Sequence, residues 1–357
     1  ILDSTDPQQV AQAVKDYSPD KSLYIIASKS GGTAELMAAF DYLWELSKHD
    51  GSRFIVTTDP GTSLEKMANE RGFRKVFNAD PMVGGRFSAL TDFGLVPAAL
   101  MGMDFEKFLG NADRMRKQSL ADVPAARNPG VALGALIAES ALMGRDKLTV
   151  LADAPVSAMA GWVEQVIAES SGKHGKGILP VALEPLGKPE DYGNDRLFVY
   201  IKSNGELEAG ISELKKAGFP VVEFPMESAY DASTEFFRWE IAISTACHIL
   251  GINAFDQPDV QDSKLRTIAK IKDYQSTGKL AETDLVDVKD AKKAIEEFLS
   301  NPQAGEFVTI NAYLPRNGEM IEAIQTLRTN IRAKTKLPVS AGFGPRFQHR
   351  SEEHTSE

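Results

Sequence analysis

The sequence holds a single cysteine, Cys247, in 357 residues. That count excludes an intrachain disulfide and a thiolate metal cluster, and it fits a reducing cytoplasm. There are five histidines, with no H-E-x-x-H and no His-rich cluster, so a zinc site has no basis and no metal is expected. No apolar run approaches the roughly 20 residues a membrane helix needs. The first thirty residues lack the charged, apolar and small-residue order of a signal peptide. Basic residues are outnumbered 40 to 50, and the formal charge of −10 repels a nucleic-acid backbone. Nucleic acid and membrane are therefore not expected as partners. A local anion site survives this argument, because a few backbone N–H groups and one Arg can hold a phosphate inside an acidic protein.

What is present is the material of a water-soluble globular protein. Hydrophobic residues make up 43% and charged residues 25%, close to the average for folded domains. The length suits two or three domains at roughly 100–200 residues each. The apolar start Ile1-Leu2-Asp3-Ser4 reads as a strand running into a helix start at Thr5-Asp6-Pro7, and the true N-terminus is expected upstream of it. The stretch 350–357 is polar and aperiodic, and reads as adapter-derived or as a solvated tail.

Between the ends, short apolar runs alternate with amphipathic stretches. Leu23-Tyr24-Ile25-Ile26-Ala27 precedes a helix over 34–48, and Phe54-Ile55-Val56-Thr57 precedes another over 63–71. A long helical region is expected over 88–145, then a strand at Leu148-Thr149-Val150-Leu151 and a helix over 156–171. The runs are rich in β-branched residues and barely alternate apolar with polar, as parallel strands covered on both faces do. The Pro/Gly-rich stretch Glu184-Pro185-Leu186-Gly187-Lys188-Pro189 reads as an inter-domain connection. Beyond it come a strand at Leu197-Phe198-Val199-Tyr200-Ile201, a helix over 206–217, a strand at Val221-Val222-Glu223-Phe224, a strand at Phe307-Val308-Thr309-Ile310 and a helix over 319–334. The expectation is α/β, with two doubly wound domains of parallel sheets covered by helices, at 1–187 and 188–349.

The most informative loop is Ser28-Lys29-Ser30-Gly31-Gly32-Thr33, between a strand and a helix. Glycines admit a close ligand, hydroxyls donate, and the helix N-terminus offers unpaired N–H groups. That combination suits a phosphate monoester, and Ser30 and Thr33 as simple helix caps are the alternative. The spacing is neither that of a Walker loop nor G-x-G-x-x-G. Gly84-Gly85-Arg86-Phe87-Ser88 sets an Arg beside an approachable backbone, where it serves an oxyanion or a salt bridge. Glu169 stands at a helix C-terminus, an unfavourable place for a carboxylate. It is either a general base or an exposed Glu before a Gly cap, with Lys173 complementing the dipole. Lys264 is expected early in the helix after the loop Gly251-Ile252-Asn253-Ala254-Phe255-Asp256-Gln257-Pro258. His248 reads as a core histidine and His174 as an exposed loop residue.

Taken in order, Ser28–Thr33, Gly84-Gly85-Arg86-Phe87-Ser88, Ala168-Glu169-Ser170-Ser171-Gly172-Lys173, Ile252–Pro258 and Gly342-Phe343-Gly344-Pro345-Arg346-Phe347 resemble glucose-6-phosphate isomerase. The likeness is nearest to the bacterial form fused behind a transaldolase. It implies two sugar-isomerase (SIS) domains acting as a cytoplasmic homodimer on glucose 6-phosphate and fructose 6-phosphate, through a cis-enediol and without a cofactor. It implies Ser28, Lys29, Ser30 and Thr33 at the sugar phosphate and Gly85 at the substrate. Glu169 takes the role of base, Arg86 that of enediolate stabiliser, and Lys264 that of a ring-opening aid. His248 and His174 are the candidates for the ring-opening histidine. A non-catalytic sugar-phosphate-binding SIS module and an inactive fragment of a bifunctional transaldolase/isomerase are the competing readings. The first of these would keep the serine-rich loop without needing Glu169.

Overall fold

The computed structural model describes residues 1–256, 258–279 and 285–344, with the side chains of 258–265 and 267 outside the description. Residues 1–6 form no strand. They lead instead into helix α1 (Pro7–Asp16), which Asp6 caps by accepting from the amides of Gln8 and Gln9 at 3.0 Å, with Pro7 at the first helical position.

Strand β1 (Tyr24–Ala27), helix α2 (Ala34–Leu46), β2 (Phe54–Thr58), α3 (Ser63–Glu70) and β3 (Lys75–Asn78) follow. The three strands form a parallel sheet ordered β1-β2-β3, with Ile26 opposite Val56 and Val56 opposite Val76. Central β2 is buried at every position. Its core gathers Phe40, Phe54 and Leu64, with Trp44 stacked on Phe40 and Phe73 stacked on Phe54. The Thr58-Asp59-Pro60 sequence ends β2, but α3 is capped further on by Thr62, which accepts from the Glu65 amide at 3.2 Å.

The helical region expected over 88–145 holds three helices: α4 (Asp92–Leu100), α5 (Phe105–Gln118) and α6 (Pro129–Leu142). Gly102, at φ +79°, ends the first, and Asp104 caps the second through the Lys107 amide. Asn128 accepts from Val131 N–H and, with Pro129 at the first helical position, starts the third. Turn and cap residues set the breaks between them.

Strand β4 (Lys147–Ala152), helix α7 (Ala158–Ser171), β5 (Leu179–Ala182), β6 (Arg196–Lys202), α8 (Glu208–Lys216) and β7 (Val221–Pro225) build a second parallel sheet, ordered β5-β4-β6-β7. Strand β4 bonds to both β5 and β6 along its length. The junction expected between residues 187 and 188 therefore falls inside one sheet. The Pro/Gly-rich stretch is the crossing from β5 to β6, and β4 belongs with the strands after it rather than with β1–β3. Helix α9 (Ala232–Leu250) closes the main core, where fully buried Trp239 meets Phe224 edge-on.

The chain continues through α10 (Pro258–Thr277), α11 (Ala291–Phe298), β8 (Val308–Ala312), α12 (Gly318–Thr335) and β9 (Val339–Phe343), with β8 and β9 paired in parallel as a separate sheet. Buried Arg328 of α12 donates to the Val339 carbonyl at 2.5 Å and to the Ala182 carbonyl at 2.9 Å. Arg332 reaches the Pro185 carbonyl and Glu184. These two arginines tie the small sheet to the end of β5. Among the described residues no helix is long and apolar enough to cross a membrane.

Helices α6 and α9 approach closely because Gly130 and Gly134 lack side chains. A Cβ on Gly130 would lie 2.6 Å from Ile241 Cβ, and one on Gly134 would overlap the Ala242 carbonyl oxygen. Gly134→Ala is expected to cost about 1–3 kcal/mol through overpacking, read as a lower urea midpoint at unchanged slope. An unchanged midpoint would show that this helix pair can part without penalty.

Candidate functional site

The carboxyl ends of β1, β2 and β3 point to one edge, where parallel α/β sheets hold their ligands. The loop Ser28–Thr33 lies there. Ser28 Oγ accepts from the Gly31 amide at 3.2 Å and meets Thr33 Oγ1 at 3.1 Å, while the exposed Ser30 accepts from the Gly32 amide at 3.4 Å. Gly31 has φ +68°, and a Cβ there would sit 3.0 Å from Leu64 and Thr62. The glycine thus meets a backbone demand as well as a close approach to α3. Thr33 occupies the N-cap position of α2 but makes no capping bond with its side chain, so its hydroxyl serves the loop rather than the helix. Lys29 turns to Asp59 at 2.8 Å and the Asp80 carbonyl at 3.3 Å, binding together the segments that leave all three strands.

After β3 the chain runs through Gly84 and exposed Gly85 into a short 3₁₀ turn that carries Arg86. The Arg86 side chain is 2% exposed. Its Nε donates to Ser170 Oγ at 2.8 Å, and its Nη2 donates to the carbonyls of Ala254 at 2.5 Å and Asp256 at 3.2 Å. Its Nη1 faces Glu169 Oε2 at 3.5 Å. Glu169, 14% exposed in the last turn of α7, also accepts from Gln165 Nε2 at 2.9 Å. Three segments distant in sequence therefore converge on one guanidinium: the turn after β3, the end of α7, and the loop that presents the carbonyls of residues 254 and 256.

Lys173, read from sequence as a dipole complement, does something else. Its side chain is fully buried and its Nζ donates to the Asn253 carbonyl at 2.8 Å, the Asp256 carbonyl at 2.5 Å and Asp256 Oδ1 at 2.9 Å. The Lys173 hydrogen bond holds the Asp256 carboxyl below its ordinary range. Cys247 packs beneath, its thiol on the Ser170 carbonyl. Burial pushes that thiol up to about 11 although Lys173 and Arg86 pull the other way, so it stays protonated. The sequence alone assigns no site role to Ser170, Lys173 or Asp256. The Asn and Asp of the 251–256 loop are the visible signal, since such loops are built around local hydrogen bonds.

The remaining expectations fall elsewhere. His248 is exposed in the last turn of α9, not in the core as expected, because the apolar face of that turn is supplied by Ala246 and Cys247. His174 is an exposed loop residue at φ +55°, near enough to Asp256 to act on its charge. Lys264 lies in the second turn of α10, but its side chain is outside the described residues, as are Gln257, the Pro345-Arg346-Phe347 end of the last motif and the stretch 350–357. Among the described residues no group of His, Cys, Asp and Glu could hold a metal ion.

Parallel sheets sheathed by helices, with a serine-rich loop at the strand ends, define an α/β protein with the ligand edge of its first sheet at that loop. A family model described as phosphoglucose isomerase matches residues 1–178. Glucose-6-phosphate isomerase of Carboxydothermus hydrogenoformans is 29% identical over 328 residues, covering 75% of this chain and 69% of the relative. The glucose-6-phosphate isomerase of Rubrobacter xylanophilus is 28% identical, with 76% and 73% covered. Among solved structures, a hypothetical protein of Thermus thermophilus superposes with a TM-score of 0.67 at 25% identity, covering 76% of each chain. The fold of a glucose-6-phosphate isomerase from Chlamydia trachomatis matches with a TM-score of 0.62 at 17% identity, over 82% of this chain and 65% of that one. Residues 1–178 match the phosphoglucose isomerase family, and the likeness to named glucose-6-phosphate isomerases extends over about three quarters of the chain.

The loop's dependence on Gly31 is directly checkable. Gly31→Ala, strained at positive φ and crowded by Leu64, is expected to destabilise by about 1 kcal/mol or more. Gly32→Ala, with nothing within 4 Å of a Cβ, is expected to be near neutral. Equal melting temperatures for the two variants would remove the backbone argument for this loop.

Proposed function

We propose that the chain interconverts glucose 6-phosphate and fructose 6-phosphate, with Glu169 as the base and Arg86 as the electrostatic partner. The observation that carries this reading is the buried Arg86 guanidinium facing the Glu169 carboxylate at 3.5 Å in a chain similar to named glucose-6-phosphate isomerases. In the open-chain aldose, Glu169 removes the proton from C2 while water supplies one to the C1 carbonyl oxygen, giving a cis-enediol. Return of the proton from Glu169 to C1, with the C2 hydroxyl proton passing to water, gives the ketose. One carboxylate thus serves both half-steps, and no electrons leave the substrate.

Arg86 stabilises the oxyanion that develops as the first proton leaves. Its charge lies in a buried setting already oriented by Ser170 and two carbonyls, so no reorganisation is needed at that moment. Ser28, Ser30 and Thr33 hold the phosphate with the amides of their loop, Lys29 stands beside them through its pairing with Asp59, and the Gly85 backbone borders the sugar. Lys264, with His248 or His174, assists ring opening.

Glu169→Gln keeps the shape and removes the base, and is expected to lower kcat by about 10²–10⁴-fold. Arg86→Ala is expected to lower kcat by about 10²–10³-fold and to abolish the rise in melting temperature that 5-phosphoarabinonate, an enediolate mimic, gives the unsubstituted chain. Full activity in Glu169→Gln would sink the mechanism. Retained mimic binding in Arg86→Ala would remove that residue from the site.

The reading extends to a cytoplasmic homodimer. Support comes from the family resemblance and, for the compartment, from the one buried thiol. Sedimentation equilibrium is expected to give twice the chain mass, and a monomer at micromolar concentration would refute it.

A further inference from the structure

We propose that Lys173 is a positioning residue for this reaction, holding the 253–256 turn against Arg86 so that the guanidinium keeps its aim at the reacting sugar. The inference rests on the isomerase reading above and deepens it.

The carbonyl of Asp256 receives both Arg86 Nη2, at 3.2 Å, and Lys173 Nζ, at 2.5 Å. Two buried cations thus grip one oxygen, which offers two lone pairs. Lys173 adds bonds to the Asn253 carbonyl and the Asp256 carboxylate, so all three of its protons go to a four-residue turn. Within that turn Phe255 N–H closes on Asn253 Oδ1 at 3.1 Å, and the Phe255 ring packs on Phe87, next to Arg86 in sequence. The turn also presents the Ala254 carbonyl to Arg86 at 2.5 Å. Of the hydrogen bonds that orient the guanidinium, two thus depend on where this turn lies, and Lys173 is what fixes it.

The other half of the grip comes from the same helix end. Ser170, which accepts from Arg86 Nε, and Lys173 are both carried by the end of α7 and the residue after its cap, together with Glu169. Arg86, the base and the turn are therefore referenced to one rigid element. Such partners behind an active-site group set its orientation, and their loss is felt in the reaction more than in ground-state binding. Asp256 is half exposed, so its carboxylate remains solvated if Lys173 is removed. Lys173→Met therefore leaves no buried unpaired charge, only displaced carbonyls.

The test uses the full chain. In Lys173→Met, kcat/KM is expected to fall about 10–100-fold, with KM little changed and the affinity for 5-phosphoarabinonate lowered by the same factor as kcat/KM. Lys173→Gln, which keeps an N–H donor, is expected to recover part of both losses, and it decides the matter if the Met variant does not fold. The Arg86 Nε–H resonance, assigned with Arg86→Lys, is expected to exchange with solvent faster in the substituted chains. A folded variant whose kcat/KM and mimic affinity both stay within about threefold of the unsubstituted chain overturns the proposal, as does one whose Arg86 Nε–H exchange is unaltered. An unsubstituted chain that neither turns over sugar phosphate nor binds the mimic overturns the isomerase reading instead, and the exchange rate then still decides whether Lys173 holds Arg86.

Discussion

A guanidinium that is 2% exposed can exist only if something replaces the water it lost, and the arrangement around Arg86 follows from that constraint. The replacements are mostly neutral: a serine hydroxyl and two main-chain carbonyls. Supplying them requires α7 to end at Ser170–Ser171, the 251–256 loop to fold back over that end, and the turn after β3 to reach across. One buried charge thereby fixes three segments, and removing any of them strands it at a cost of several kcal/mol.

The sheets supply the rest of the geometry. Ligands of a parallel α/β sheet bind at the carboxyl ends of its strands, and at the first sheet the Lys29–Asp59 pair joins the exits of β1 and β2 while the Asp80 carbonyl adds that of β3. The pair is partly solvated, so it contributes little stability by itself. Its effect is to keep the serine-rich loop in register with the chain that delivers Arg86.

Much of this is legible in the sequence because it is local. The apolar runs at β1, β2, β4, β6, β7 and β8 are strands, Ser28–Thr33 is a loop between strand and helix, and Glu169 stands in a last helical turn. What is not legible is what depends on pairing between distant segments. Glu184–Pro189 has the composition of a linker, and only the bonding of β4 to both β5 and β6 shows that it crosses within a sheet. The region over 88–145 reads as helical throughout, and the breaks between its helices rest on residues such as Gly102 and Asn128. Lys173 is hidden for the same reason. Its neighbours in sequence suggest a helix dipole, whereas its partners lie some eighty residues away.

The choice of neutral partners for Arg86 also bears on how the site can work. A guanidinium locked in a tight bidentate pair with a carboxylate would have its charge cancelled and its donors used, leaving little field for an oxyanion. Here the carboxylate contact is the longest of the four, at 3.5 Å, and the shorter ones go to dipoles that orient the group without neutralising it. Asp256, which could have been such a partner, gives Arg86 only its carbonyl and gives its side chain to Lys173. The lysine thereby takes the counter-charge that would otherwise compete for the arginine. In the proposed mechanism this leaves the positive field of Arg86 on the side where Glu169 stands and where proton removal from a bound sugar would create negative charge.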